Sequence, residues 1–206
     1  MDLTDAELVR LSTNGNEEAF EKLLDKYEGK IFNLAYRMLG NVEDAEDATQ
    51  DAFMKAYSSL SGFRGDSSFS TWLYRIAKNV CLDEIRRRQR NPVHSLDKPI
   101  KTDEGDQLER QIEDDSPTPE DTIVTNEQQV VIEKAMQKLP AHHRTVIIFR
   151  DIEGFSYSQI AEILDVKLGT VKSRLYRARN NLKVVLEEME LFQHRGVNQP
   201  ERREEA

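Results

Sequence analysis

The chain has 206 residues, with 29 Lys+Arg against 38 Asp+Glu, a formal net charge of −9, 33% charged and 7% aromatic residues, and nine Gly. That profile fits a helix-rich chain with room for one large domain or two small ones, and it argues against an all-β fold. The single cysteine, Cys81, excludes an internal disulfide or a cysteine zinc site and fits a reducing cytoplasm; no apolar run reaches the ~20 residues of a membrane span, and the acidic start "MDLTDAELVRL" lacks the apolar core of a secretory leader.

The first strong element is an amphipathic helix over 16–39. Phe20, Leu23, Leu24, Tyr27, Ile31, Leu34, Ala35 and Met38 recur every three to four residues and form one stripe, and Gly40-Asn41 ends it. A second helix is predicted over 43–60, with Ala45, Ala48, Ala52 and Phe53 inward. Its first turns carry Glu43, Asp44, Glu46, Asp47 and Asp51. Carboxylates there suit the helix macrodipole without any partner, while Asp47, Gln50, Asp51 and Phe53 also mix polar groups with an aromatic as a protein interface does. The loop "SLSGFRGDSS" leads into a third helix, from Ser68 to Arg90, with Phe69, Leu73, Ile76, Val80 and Ile85 as its apolar set.

That loop and helix interleave aromatics with bases: Arg64, Asp66, Ser67, Trp72, Tyr74, Arg75, Lys78, Asn79 and a terminal Arg86-Arg87-Arg88 run. Rings that stack on bases beside cations that hold phosphates suit opened nucleic acid. Core packing of Trp72 and a dipole match for the Arg run account for the same residues equally well.

Residues 91–122 change character. They hold four Pro, little apolar content, and ten carboxylates against three Lys/Arg. Such a stretch cannot bury enough surface to offset its ordering entropy, so it reads as an acidic flexible linker between two small helical domains. Helices resume near Ile123, with Val130, Val131, Ala135, Met136 and Leu139 on an inner face, and Pro140 opens a further helix, "AHHRTVIIFRDI". Then Ser156, with Gln159 three residues on, gives a capping-box start to a short helix ending near Leu164. Asp165 sits where a tight turn needs a left-handed residue, and Thr170 is placed to cap a longer helix. Residues 188–206 read as a polar tail.

Helix, short turn and longer basic helix make a helix-turn-helix. Between Val166 and Val185 stand six basic residues and no carboxylate. At 100° per residue, Val171, Leu175, Ala178 and Leu182 cluster on one side. Ser173, Tyr176, Arg177 and Asn180 then face outward, with Lys172, Arg174, Arg179 and Asn181 at the flanks. Donors in the middle and cations at the rim suit a major groove; a solvated amphipathic helix is the plainer reading of the same wheel. His94, His142, His143 and His194 are scattered, and no Gly-rich phosphate loop or H-E-x-x-H occurs, so neither an enzyme, a cofactor nor a metal site is expected.

The stretches "DAEDATQDAFMKAY", "FRGDSSFSTWLYRIAKNVCLDEIRR", "LPAHHRTVIIFRDIEGFSYSQIAEIL" and "GTVKSRLYRARNNL", in this order and spacing, resemble the extracytoplasmic-function (group 4) sigma factors of bacterial RNA polymerase over residues 1–187. The resemblance implies region 2 at 1–90 and region 4 at 123–187. It implies that Asp47, Gln50, Asp51 and Phe53 dock on the β′ clamp helices, with region 4 on the β flap. It implies further that Arg64, Asp66, Ser67, Trp72, Tyr74, Arg75, Lys78 and Asn79 bind and melt the −10 element, the 61–70 loop taking a flipped-out base. Lys172, Ser173, Arg174, Tyr176, Arg177, Arg179 and Asn180 would then meet the −35 element. Lys172 stands where relatives often carry Arg and lacks the planar fork for guanine. An anti-sigma partner, often membrane-bound, is implied as well. The rival reading is a dimeric helix-turn-helix regulator, which would need a dimer interface and a palindromic site.

Overall fold

The structure is a computed structural model, and it describes residues 3–90 and 130–196. The acidic linker, the predicted start of the second unit near Ile123 and the end of the tail lie outside the described residues. Every regular element among the described residues is helical.

The first unit holds α1 (Asp5–Thr13), α2 (Glu17–Leu39), α3 (Val42–Ser59) and α4 (Phe69–Arg90), with a 3₁₀ turn at Leu60–Gly62 after α3. The predicted stripe of α2 is its buried face: Leu23, Ile31, Leu34 and Met38 are wholly covered. α3 packs through small Ala45, Ala52 and Ala56, which let its backbone approach closely. Helix α1 was not anticipated. Its start is a Thr4–Glu7 capping box, and Asp5 ties it to α2 by accepting from Lys26 Nζ and Tyr27 Oη, both at 2.5 Å. Partial burial works against ionisation of Asp5, but these two donors outweigh it and hold its carboxyl below the usual range.

Gly40 closes α2 with φ +87°, its N–H bonded to Tyr36 O at 2.8 Å. The left-handed turn selects glycine here; a Cβ would also meet the end of the Gln137 side chain at 2.9 Å and displace it. Asn41 then caps α3 by accepting from Asp44 N at 2.8 Å.

The second unit holds α5 (130–138), α6 (Ala141–Ile147), α7 (Tyr157–Leu164) and α8 (Leu168–Gly196). Sequence predicts one regular helix over "AHHRTVIIFRDI"; instead α6 widens into a π-helical turn at Ile148–Ile152. The wider turn swings Phe149 beside Phe155, 5.9 Å between ring centroids, and sends Asp151 and Glu153 outward to partners on α8 and α4. Helix α8 begins at Leu168, so Thr170 lies inside its first turn, with its N–H on Lys167 O, rather than capping it. It also continues to Gly196, past the boundary drawn at residue 187.

The two units share one hydrophobic core. Tyr74 of α4 packs edge-on against Phe149 and Phe155, at 6.0 and 4.8 Å. Arg144 reaches across to Met38 O and also donates to Gln137 Oε1, Gln137 O and Leu139 O. Gln137 in turn donates to Arg37 O at 3.0 Å.

Candidate nucleic-acid interface

The helix-turn-helix is built as the sequence pattern requires. Ser156 Oγ accepts from Gln159 N at 3.2 Å while Gln159 Oε1 accepts from Ser156 N at 2.9 Å. Replacing Ser156 with Ala should therefore cost about 1 kcal/mol, measurable as a lower thermal midpoint with unchanged helicity. Asp165 takes the left-handed conformation, φ 54° and ψ 53°, and Val166 N bonds back to Ala161 O at 3.0 Å. This turn sets α8 across α7, with Val171, Leu175 and Ala178 buried beneath it. Leu182 is only partly covered.

The opposite face of α8 is open. Lys172, Ser173, Tyr176, Arg177 and Asn180 are exposed, Tyr176 at 69%, and Arg174 is half-buried. Arg179 differs from expectation: its guanidinium already grips Asp151 through two bonds, Nε–Oδ2 at 3.1 Å and Nη2–Oδ1 at 2.5 Å. That bond raises its pKa further, and a phosphate would have to displace a bidentate carboxylate to use it. Asn181 meets His143 Nδ1 at 3.1 Å. Burial, then His142, Arg174 and Arg177, keep the His143 ring below its ordinary pKa.

In the first unit the structure gathers part of the predicted set and separates the rest. Arg64, Asp66, Ser67, Trp72 and Arg75 converge, with Gly62 and Phe63, on one open cavity of about 220 Å³. Trp72 is both its wall and a core residue, packed at 5.1 Å on Phe63 and 5.7 Å on Phe69. Core packing of Trp72 is therefore observed, and the same ring lines the cavity. Arg75 and Asn79 are exposed. Tyr74 and Lys78 are not: they are 2% and 7% exposed, because the second unit lies over them. Tyr74 Oη donates to Glu153 at 2.5 Å, and Lys78 Nζ donates to Ile163 O at 3.1 Å. The Arg run is taken up by carboxylates: Arg86 by Asp83, Arg87 by Glu84, and Arg88 by Glu84 and Asp44.

On α3, Asp47, Gln50 and Asp51 are exposed, but Phe53 is 6% exposed and belongs to the core. The apolar groups beside Gln50 are instead Met54 and Tyr57, 64% and 50% exposed, along an α2–α3 groove of about 730 Å³. Sequence reasoning missed them because a stripe drawn through Phe53 leaves its neighbour Met54 outward with no reason to single it out. Cys81 is fully buried, with its thiol pushed up to about 12 by desolvation, and is an inert core residue. Among the described residues no group of His, Cys, Asp or Glu is arranged to hold a metal ion, and no helix is long and apolar enough to cross a membrane.

Two helical units, one with a helix-turn-helix whose outer face is cationic, define a DNA-binding transcription protein. Family models agree in both units: Sigma-70 region 2 matches residues 23–91 and Sigma-70 region 4 matches residues 129–182. The chain is 40% identical to the ECF RNA polymerase sigma factor SigW of Bacillus subtilis, over 88% of this chain and 96% of that one. It is 37% identical to the RNA polymerase sigma-H factor of Pseudomonas aeruginosa, over 89% and 94%. Among solved structures it resembles CnrH in complex with the cytosolic domain of CnrY (TM-score 0.63, 25% identity, 89% of this chain and 97% of that chain). It also resembles the sigma factor RpoE of Bartonella quintana in complex with the anti-sigma factor NepR (TM-score 0.59, 28% identity, 82% and 96%). The chain belongs to the extracytoplasmic-function RNA polymerase sigma factors of the sigma-70 family.

Proposed function

We propose that the chain binds core RNA polymerase and carries it to promoters by reading two elements with its two units. The single observation that carries this reading is the pairing, in one chain, of an open cationic helix with a polar-aromatic cavity on the other unit. Lys172, Ser173, Tyr176, Arg177 and Asn180 meet the −35 element, central donors on base edges and cations on phosphates. Arg174 reaches the backbone from the edge, and Arg179 joins it after releasing Asp151.

The cavity walled by Arg64, Asp66, Ser67, Trp72 and Arg75 takes a base extruded from the −10 element. Carboxylate and hydroxyl groups read its hydrogen-bonding edge, the indole offers a face, and Arg64 and Arg75 hold the flanking phosphates. Contacts to the extruded base offset the few kcal/mol of unstacking, so promoter opening needs no covalent step by this chain. Asp47, Gln50 and Asp51 dock on the β′ clamp helices, with Met54 and Tyr57 supplying the apolar contact expected of Phe53, and region 4 docks on the β flap.

Control by an anti-sigma partner is part of this reading, since the Bartonella RpoE was solved with the anti-sigma factor NepR. The protein works in the cytoplasm and is held at the membrane only through that partner. The formal charge of −9 repels free DNA, so tight promoter binding requires polymerase. Run-off transcription with purified core polymerase and a genomic promoter library tests the whole reading: new, sequence-selective transcripts should appear only when the chain is added. Core polymerase that neither retains the chain nor changes its products would overturn it and return the dimeric regulator to first place.

A further inference from the structure

We infer that the DNA-binding surface of the second unit extends beyond α8: His143, in the first turn of α6, holds a backbone phosphate at the Arg174 edge of the reading helix and takes up a proton as it does so. The inference rests on the −35 reading of α8.

The two edges of α8 differ. On one, Arg179 is already clasped by Asp151 through two bonds. On the other stand Arg174 and Asn181, with Arg177 between them and the centre of the face. Among the described residues neither Arg174 nor Arg177 forms an ion pair with a carboxylate. Helix α6 comes up against this second edge. The His143 N–H bonds Pro140 O at 2.9 Å, so the ring is carried on a fixed turn. Its Nδ1 lies 3.1 Å from Asn181 Nδ2. With that amide donating, Nδ1 accepts and the ring proton stands on Nε2, the nitrogen left for a ligand. His142 is exposed beside it, with 4.3 Å between the ring centroids.

The groups acting on this imidazole are His142 from its own helix and Arg174 and Arg177 from α8, with no carboxylate among them. Burial first, then these neighbours, keep the ring neutral in the free chain. A phosphate reverses that balance. Its charge offsets the two guanidinium groups and favours an imidazolium, which donates from both nitrogens. Nε2–H then meets the phosphate, and Nδ1–H meets Asn181, whose amide turns to accept through Oδ1. The DNA-bound ring therefore has the higher pKa, so binding takes up a proton and strengthens as pH falls. The gain is complete below the pKa of the free ring and is lost as pH rises through that of the bound one.

The test uses the full chain and an excess of a random-sequence DNA duplex at low salt, since a phosphate contact needs no particular sequence. The four imidazole signals are followed by NMR against pH, with and without duplex. The signal lost in His143→Gln identifies His143; if that variant does not fold, H94Q, H142Q and H194Q assign it by elimination. With duplex bound, the titration midpoint of His143 should rise by about 0.5 pH unit or more, and further than those of His94 and His194. By linkage, the wild-type chain should gain about threefold or more in duplex affinity between about pH 8 and pH 5.5 relative to His143→Gln, read by fluorescence polarisation. A smaller rise, or one shared equally with His94 and His194, overturns the inference. Arg177→Ala in the same assay separates it from the reading on which it rests. If Arg177→Ala weakens duplex binding while the His143 midpoint stays still, the inference fails and the α8 reading stands. If Arg177→Ala changes nothing, or no duplex binds, the α8 reading fails and the inference with it.

Discussion

Replacing Phe149 with Ala should cost about 3–5 kcal/mol of stability, a larger loss than any surface change discussed here. Phe149 is wholly buried, and its ring is met by Tyr74 from α4 and Phe155 from the segment after the π-helical turn. The truncation leaves a cavity whose walls belong to two units and which the surrounding structure fills only in part. For a chain of this size the loss corresponds to a midpoint lowered by roughly 6–20 °C in thermal unfolding followed by circular dichroism. A change below about 1 kcal/mol would mean that the ring cluster is not part of the cooperative core.

The second large effect is on promoter selection. Arg177→Ala should lower run-off transcription from a −35-dependent promoter by about 5- to 150-fold, the value of about 1–3 kcal/mol of base discrimination. Arg177 is exposed on α8, away from the buried Val171–Leu175–Ala178 face, so its removal should leave stability within about 0.5 kcal/mol of wild type. Arg177→Lys keeps the charge and loses the planar fork; it should restore phosphate-driven binding but only part of the sequence preference. Equal transcription by all three chains would remove Arg177 from the reading face. The contrast with Arg179 is informative. Both are Arg on the same helix, but Arg179 spends its fork on Asp151, so Arg179→Ala should have the smaller effect in the same assay.

The elements were legible from the sequence because each is a local property. The α2 stripe, the Ser156–Gln159 capping box, the left-handed Asp165 and the inward Val171, Leu175 and Ala178 all follow from spacing and backbone preference within a few residues. Even α1 carries a readable signal, Thr4 and Glu7 before Leu8 and Val9, although nine residues are short enough to pass unnoticed. The π-helical turn had no such signal. "IIFRDI" is compatible with an ordinary helix, and the extra residue is justified only by where it sends Phe149, Asp151 and Glu153.

The candidate sites divide in the same way. The wheel of α8 placed its outer residues correctly because a helix has only one way to turn its apolar side to the core. It could not show that Arg179 is already paired, since Asp151 stands on another helix. Arg64, Asp66, Ser67, Trp72 and Arg75 were near one another in the chain, and the loop-to-helix turn brings them around one cavity. From the sequence, Phe53 reads both as an inward residue of α3 and as a member of the interface set; it is 6% exposed, which bears out the inward position, and the exposed apolar neighbours of Gln50 are Met54 and Tyr57.

By itself, then, the sequence determined an all-α chain, its helix-turn-helix, the basic outer face of α8 and, through four ordered motifs, its family. The tertiary structure alone decided which of those residues are free to act. Tyr74 and Lys78 look like partners of Arg75 and Asn79 on one helix, yet α7 and the turn before it cover the first pair and leave the second open. Spacing along a helix sets which way a side chain points. What it points at depends on contacts between residues 79 and 85 positions apart, and no local pattern carries that information.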